Sequence, residues 1–297
     1  MAASDDLFPG FSAHRIRTSG AEIRCVVGGS GPPLLLLHGY PQTHAMWHKV
    51  APALARRHTV VCADLRGYGD SSKPPTTPDH APYAKRAMAA DMVALMRTLG
   101  FDRFDLAGHD RGGRVAHRLC LDHPQAVRRL AVLDISPTRI MFERTDQAFA
   151  TAYYHWFFLI QPFDLPERLI GADPAYYIGR KMKKWSAGDT SFFDPRAWAE
   201  YERCFRDPAT IHASCEDYRA AASIDLDHDR ADLDRKVACP LLVLWGAKGV
   251  VHRLFRPVDD WRSVATDVEG HVMPSGHFVA EEAPDETLAH FRSFFGD

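Results

Sequence analysis

The stretch Phe104-Asp105-Leu106-Ala107-Gly108-His109-Asp110-Arg111-Gly112-Gly113-Arg114 decides the reading of this chain. An apolar lead-in suits the end of a buried strand, and a helix-forming run follows Gly113. Gly108 and Gly112 bracket Asp110, and glycine at both flanks removes the Cβ atoms that would obstruct a tight strand-to-helix turn. The Asp110 side chain is then expected at a strand end, beside the positive end of a helix. A carboxylate held there is a candidate nucleophile. Its attack on an acyl group would give a reactive anhydride. Its attack on an alkyl carbon bearing a leaving group gives an ordinary ester that water can hydrolyse. Asp110 therefore points to displacement at carbon.

Outward from this turn, aliphatic runs alternate with helical spacing. Residues 14–29 read as two short strands with a turn near Ser19-Gly20. Pro32 to Leu37 and Thr59 to Ala63 read as buried strands, the first ending in His38-Gly39-Tyr40-Pro41. Met46 to Arg56 reads as a helix, Lys73 to Pro82 as a Pro-rich loop, and Tyr83 to Leu99 as a helix with apolar positions at Met88, Met92, Leu95 and Leu99. A helix to about Leu121 follows Asp110, and Leu130 to Leu133 is a further buried strand ending at Asp134. Such alternation predicts an α/β fold with a mostly parallel sheet, helices on both faces and right-handed crossovers. Ligands in such sheets bind beyond the carboxyl ends of the strands, where His38, Asp110 and Asp134 all lie.

From Ser136 to Lys236 the aliphatic runs stop, and aromatics and helix starts dominate. Asp194-Pro195 and Asp207-Pro208 each place an N-cap residue before proline at the first helical position. The expectation is an all-helical cap, 136–236, inserted into a core domain formed by 1–135 and 237–297. The sheet resumes at Pro240 to Gly246 and again near Val268 to Met273. A helix from about Asp285 to Phe295 closes the core.

The 297 residues suffice for one large α/β domain with an insertion. Hydrophobic residues make up 46% and charged residues 25%, the balance of a soluble globular protein. The 36 basic and 38 acidic residues give a net charge of −2 without a long single-sign run, which argues against a nucleic-acid partner. Six scattered cysteines without a Cys-x-x-Cys pair read as free thiols in a reducing compartment. Met1 to Phe11 lacks a hydrophobic signal core, and no apolar stretch approaches a membrane span. The reading is a cytoplasmic protein without a membrane partner.

Hydrolysis of an Asp110 ester needs a base and a residue that orients it. His277, in Ser275-Gly276-His277-Phe278 before the last helix, is the candidate base. The segment after the strand near Leu241–Trp245 reads Gly246-Ala247-Lys248-Gly249 and offers no carboxylate, so Asp134 is the candidate orienter, with Asp259 or Asp260 as rivals. Backbone N–H groups of Tyr40 and Arg111 are expected to hold the Asp110 carboxylate and the charge of the tetrahedral intermediate. Arg111 and Arg114, one helical turn apart, suit a carboxylate substrate through charge-assisted hydrogen bonds. Tyr153-Tyr154-His155-Trp156 offers O–H and N–H donors for an anionic leaving group, or ordinary helix packing.

Gly-x-Asp-x-Gly matches the nucleophile elbow of the α/β-hydrolases, with aspartate in the place of serine. The chain resembles the fluoroacetate (haloacetate) dehalogenases, an Asp-nucleophile branch of that fold. The resemblance runs over Asp6 to Phe11, Leu34 to Gly39, Pro41 to His44, Ala107 to Gly112, Leu133 to Ile135, Tyr154-His155-Trp156, Cys215 to Arg219 and Ser275 to Phe278. The Asp-Arg-x-x-Arg, His-Trp and Glu-Asp-Tyr-Arg combinations are more specific than the elbow. The resemblance implies hydrolysis of a small 2-haloacid to glycolate and halide. Arg111 and Arg114 would bind the carboxylate, and His155, Trp156 and Tyr218 the departing halide. Trp185 would line the cavity. It also implies a homodimer without metal or organic cofactor. Tyr40 stands where phenylalanine is expected beside the substrate.

An epoxide hydrolase is the nearest rival. It would use O–H donors such as Tyr153, Tyr154 and Tyr218 to protonate the opening alkoxide, but paired arginines have no role with a neutral epoxide. Haloalkane dehalogenases usually carry tryptophan where Arg111 stands. A non-catalytic hydrolase-fold receptor is the rival from another class.

Overall fold

The computed structural model describes residues 7–296. The readings placed on Met1 to Asp6 and on Asp297 lie outside the described residues. One eight-stranded sheet runs in the order β1-β2-β4-β3-β5-β6-β7-β8. Its strands are β1 (Ser12–Arg17), β2 (Glu22–Gly28), β3 (Pro33–Leu37), β4 (Thr59–Ala63), β5 (Phe104–His109), β6 (Val127–Leu133), β7 (Leu241–Gly246) and β8 (Val268–Met273). β1–β2 and β2–β4 pair antiparallel, and every other pairing is parallel.

The continuous aliphatic runs occupy the middle of the sheet because helices cover both faces there. Leu34 to Leu37 and Leu130 to Leu133 are fully buried. Each such leucine contributes about 1.5–3 kcal/mol by leaving water. The core helices before the insertion are α1 (Ala51–Leu54), α2 (Lys85–Thr98) and α3 (Arg111–Asp122).

The helix expected over Met46–Arg56 is not continuous. A 3-10 turn spans His44–Trp47, and α1 begins afresh with Pro52 in its first turn. Proline lacks an N–H and crowds the preceding turn, so it opens a helix rather than continuing one.

Between β6 and β7 every regular element is a helix: α4 (Thr138–Glu143), α5 (Gln147–Ala152), α6 (Tyr154–Leu159), α7 (Leu165–Ala172), α8 (Pro174–Trp185), α9 (Pro195–Phe205), α10 (Pro208–Ala221) and α11 (Ile224–Ala231). Asp194 and Asp207 accept from Arg196 and Ala209 backbone N–H groups, so both expected N-caps are present. α10 is buried along most of its length and packs against α6, α7, α9 and α11, and also on α2. The insertion is thereby seated on the core. After β7 come α12 (Val250–Leu254), α13 (Pro257–Arg262), α14 (Val279–Glu282) and α15 (Pro284–Phe295).

Candidate active site

The turn between β5 and α3 has the sharp geometry its glycines imply. Asp110 sits at φ 43° and ψ −113°, a conformation that costs energy and is found at functional positions. A Cβ on Gly108 would stand 2.5 Å from the Gly112 carbonyl oxygen, and one on Gly112 would stand 2.4 Å from that of His38. Only glycine fits at either place.

The Asp110 carboxylate is nearly buried, and its Oδ2 accepts from the Tyr40 N–H at 3.0 Å. The expected Tyr40 donor is thus in place. No side-chain bond joins Asp110 to the first turn of α3, so the expected Arg111 N–H contact to the carboxylate is absent. Burial pushes the Asp110 carboxyl up, but His277, Arg114 and Arg111 outweigh it and hold it below its ordinary value.

His277 and Asp134 meet across 143 residues of chain, Nδ1 to Oδ2, at 2.6 Å. The second oxygen, Oδ1, accepts from Gly246 N–H at 3.0 Å, so the carboxylate is fixed from two sides. Burial disfavours the charged imidazole, yet the Asp134 hydrogen bond, the Asp134 charge and the Asp110 charge raise His277 above its ordinary value. The rival acids are placed elsewhere. Asp260 accepts from Ser136 and Arg144, and Asp259 is exposed beside Arg262.

Sequence reading did not single out two supports of this base. His109 Nε2 meets the His277 carbonyl at 2.8 Å. Burial, then the His277 charge, push His109 down to about 3, so it is neutral and Nε2 carries the proton. Glu282 accepts from the Gly276 and Phe278 N–H groups at 2.6 and 2.9 Å and clamps the loop on both sides of His277. The His277 N–H donates to the Trp185 carbonyl at 3.0 Å, which ties the base to the insertion.

Arg111 is wholly buried and gives Nε and Nη2 to the Asp217 carboxylate at 2.8 and 2.7 Å, with its guanidinium over the Tyr218 ring at 4.1 Å. Nη1 is left without a partner. Asp217 also accepts from Tyr68 Oη at 2.6 Å and is ion-paired to Lys85. Burial opposes the Asp217 charge, but Arg111 and Lys85 overcome it and hold its carboxyl well below the ordinary range. Asp217 belongs to the Glu-Asp-Tyr-Arg run noted in the sequence, yet nothing local to that run indicates that it holds Arg111.

Arg114 makes no ion pair among the described residues. Nη1 donates to the Ser136 carbonyl and to Thr138 at 3.2 and 2.9 Å, and Nη2 points at Met141 Sδ. Nε has no partner. Burial lowers the guanidinium to about 10, with the Asp110 charge opposing, so it remains charged at neutral pH.

The donors expected for a leaving group are brought together. The His155 ring lies 5.5 Å from Tyr218, 4.7 Å from Trp185 and 6.1 Å from Tyr40. His155 Nδ1, Tyr218 Oη, Trp185 Nε1 and Tyr40 Oη are buried without partners. Trp156 is 6.4 Å from Tyr218 and carries Arg114 over its ring at 4.7 Å. Tyr153 is buried beside this cluster, whereas Tyr154 is 44% exposed and lies outside it. No group of three or more His, Cys, Asp or Glu side chains among the described residues could hold a metal ion.

A carboxylate on a strand-to-helix elbow, an Asp–His pair at the next strand ends and a helical insertion above them define an α/β-hydrolase. The chain belongs to that family, whose model, described as alpha/beta hydrolase fold, matches residues 32–284. It is 52% identical over 291 residues to the fluoroacetate dehalogenase of Burkholderia sp, covering 98% of this chain and 96% of that one, which bears out the resemblance read from its motifs. It is also 35% identical over 288 residues to the soluble epoxide hydrolase of Corynebacterium sp. (strain C12), covering 95% of this chain and 96% of that one. The crystal structure of ALR0039 from Nostoc sp PCC 7120, assigned to the α/β hydrolases, superposes with a TM-score of 0.95 at 57% identity, covering 96% of this chain and 98% of that one.

Proposed function

We propose that the protein hydrolyses the carbon–halogen bond of a small 2-haloacid, with fluoroacetate or another haloacetate as substrate. One observation carries this reading. Two buried guanidiniums stand beside the Asp110 carboxylate, and each keeps one donor nitrogen without a partner, Arg111 Nη1 and Arg114 Nε. Buried donors are rarely left unsatisfied, and a substrate carboxylate supplies acceptors for both. The likeness to a fluoroacetate dehalogenase supports the same chemistry.

Asp110 Oδ2 is held by Tyr40, so Oδ1 attacks the halogen-bearing carbon. A C–O bond forms, the C–X bond breaks, and the halide leaves with the bonding pair. His155, Trp156 and Tyr218 receive it, and Trp185 lines the same cavity. The product is a glycolyl ester on Asp110 whose carbonyl oxygen stays at the Tyr40 N–H. His277, oriented by Asp134, takes a proton from water as the hydroxide attacks the ester carbonyl. The tetrahedral intermediate collapses with cleavage of the bond from the Asp110 carbonyl carbon to the glycolyl oxygen. That oxygen takes the remaining water proton from the new carboxyl group, glycolate leaves, and Asp110 is regenerated as the carboxylate. The other proton passes from His277 to solvent. Ester formation also removes the Asp110 charge that helps raise His277, so the base enters hydrolysis more readily neutral.

Residues 136–236 act as a cap that excludes water from this step, over a core of 1–135 and 237–297. The homodimer expected from the family resemblance is supported by exposed Phe163, Leu165, Leu169 and Tyr176, all in the insertion. The free cysteines accord with a cytoplasmic setting. Among the described residues no helix is long and apolar enough to cross a membrane.

A second reading is epoxide opening. Buried Tyr153 and Tyr218 both feel the Asp110 charge, and the likeness to a soluble epoxide hydrolase favours them as alkoxide donors. One experiment separates the two. Purified protein is incubated with fluoroacetate and free fluoride is followed, with Asp110→Asn as control. Fluoride from the wild type alone supports the dehalogenase. Absence of halide from both fluoroacetate and chloroacetate, with diol formed from a small epoxide, would establish the second reading.

A further inference from the structure

Lys181 lies on α8, one helical turn before Trp185, and is only 2% exposed. Its ammonium has no hydrogen bond or ion pair among the described residues. Rings surround it instead, with Tyr154 at 3.3 Å, Tyr177 at 5.3 Å and Trp185 at 5.8 Å from Nζ to the ring centre. Ring faces attract a cation but do not replace a counter-ion. Burial, and then the neighbouring Lys184 charge, push the ammonium down to about 6. The amine is therefore largely neutral at pH 7, the usual response of an unpaired buried lysine to its surroundings, and the chemistry described so far does not use it.

Its position is informative. On one side stands Tyr154, 44% exposed, so a single ring separates the ammonium from water. On the other stands Trp185, whose ring is 4.7 Å from His155 and 5.4 Å from His277. A single ring therefore separates Lys181 from the candidate active site. Burial lowers His155, and the Lys181 charge is the next influence in size. Tyr177 Oη, Tyr40 Oη, Trp185 Nε1 and His155 Nδ1, in the same region, are all buried without partners. The surrounding sequence, Gly179-Arg180-Lys181-Met182-Lys183-Lys184-Trp185, holds four cations and no acid in a chain of net charge −2.

We propose that Lys181 is an anion-binding station on the route through the helical insertion, where a substrate carboxylate arriving from solvent behind Tyr154 is received and passed beyond Trp185 to Arg111 and Arg114. This inference rests on the carboxylate substrate proposed above. The basic run of α8 draws the anion toward the insertion, as charged walls raise association rates by about 10–1,000-fold. An anion beside the Lys181 amine favours its protonated form, so the arriving carboxylate itself brings out the charge that holds it between the two rings. A station in transit speeds arrival and departure alike, so its removal slows both and leaves the equilibrium nearly unchanged.

The test uses Asp110→Asn protein, which binds without turnover, and follows tryptophan fluorescence in stopped flow on mixing with chloroacetate. Lys181→Met is expected to slow association and dissociation together by about fivefold or more, to flatten the salt dependence of association, and to change the dissociation constant less than about twofold. Lys181→Arg restores both rates. Lys181→Gln repeats the test should the methionine variant be poorly folded, with thermal unfolding as the control. An unchanged association rate, or a weaker equilibrium caused by faster dissociation alone, overturns the station and leaves the proposed function standing. If the Asp110→Asn protein binds no carboxylate at all, both readings fall.

Discussion

Asp217 grips Arg111 through Nε and Nη2, at 2.8 and 2.7 Å, and leaves Nη1 as the one unengaged donor of that guanidinium. The carboxylate thus aims the arginine. It also neutralises the buried Arg111, while Lys85, the second cation on Asp217, is balanced by Asp225 at 3.2 Å.

Asp217→Asn should therefore damage activity without touching the reacting atoms. Misplacing a substrate-binding group by about 1 Å can cost about 100-fold, so kcat/KM for a haloacetate should fall about 10- to 100-fold, chiefly through KM. The variant leaves Arg111 and Lys85 short of a counter-charge and should lose about 3–5 kcal/mol of stability, read by denaturant unfolding. Because folding lowers the Asp217 pKa, its stabilisation is present above the ordinary aspartate value and fades as pH falls through the lower folded value.

Arg111→Gln and Arg114→Gln should each weaken haloacetate use, by about 1.5–3 kcal/mol in kcat/KM for a lost charged hydrogen bond. They should differ in stability. The first strands Asp217 among fewer cations. The second removes a guanidinium without an ion pair and should unfold closer to the wild type. Equal kinetics in both variants and wild type would remove the carboxylate from the substrate.

His277→Ala should stop the reaction after alkylation. Intact mass after haloacetate treatment should show one covalent adduct, mapped by peptide sequencing to Asp110. Unmodified protein would take the base role from His277.

The pH dependence of ester breakdown follows from the raised His277 pKa. The base must be neutral, so breakdown in a single turnover should rise with pH through its titration and then level off. Loss of the Asp110 charge in the ester should set that midpoint below the one found for free enzyme by NMR. Asp134→Asn removes the main raising influence, so the midpoint should move lower still. It should also slow breakdown by about 10⁴, the scale seen when a triad carboxylate is neutralised.

Tyr40→Phe deletes a buried hydroxyl that has no hydrogen-bond partner. Stability should hold or rise by about 1 kcal/mol, since an unmet polar group is costly. The ring contacts to His155, Trp185 and Tyr218 survive. The change should appear instead in the relative turnover of 2-halopropionate and haloacetate.

Much of the fold was legible because its signals are local. The aliphatic runs of β3, β4, β6 and β7 can only be strands buried on both faces, and Asp194 and Asp207 mark helix starts by their own hydrogen bonds. Gly108 and Gly112 announced the elbow through a steric demand within five residues. The helix placed over Met46–Arg56 went wrong at Pro52, whose ring starts α1 where apolar spacing suggested continuity.

The candidate groups of the proposed reaction were likewise legible in sequence: a carboxylate where a hydroxyl is usual, and two arginines one helical turn apart. Tertiary structure alone decided who partners whom. Asp134, after β6, reaches His277, after β8, only because β6, β7 and β8 lie side by side in the sheet. Asp217 reaches Arg111, and Lys181 comes to lie between solvent and Trp185, only because the helical insertion docks over the strand ends. Backbone conformation answers to neighbours a few residues away, whereas a buried charge answers to whatever the packed chain brings within a few ångströms.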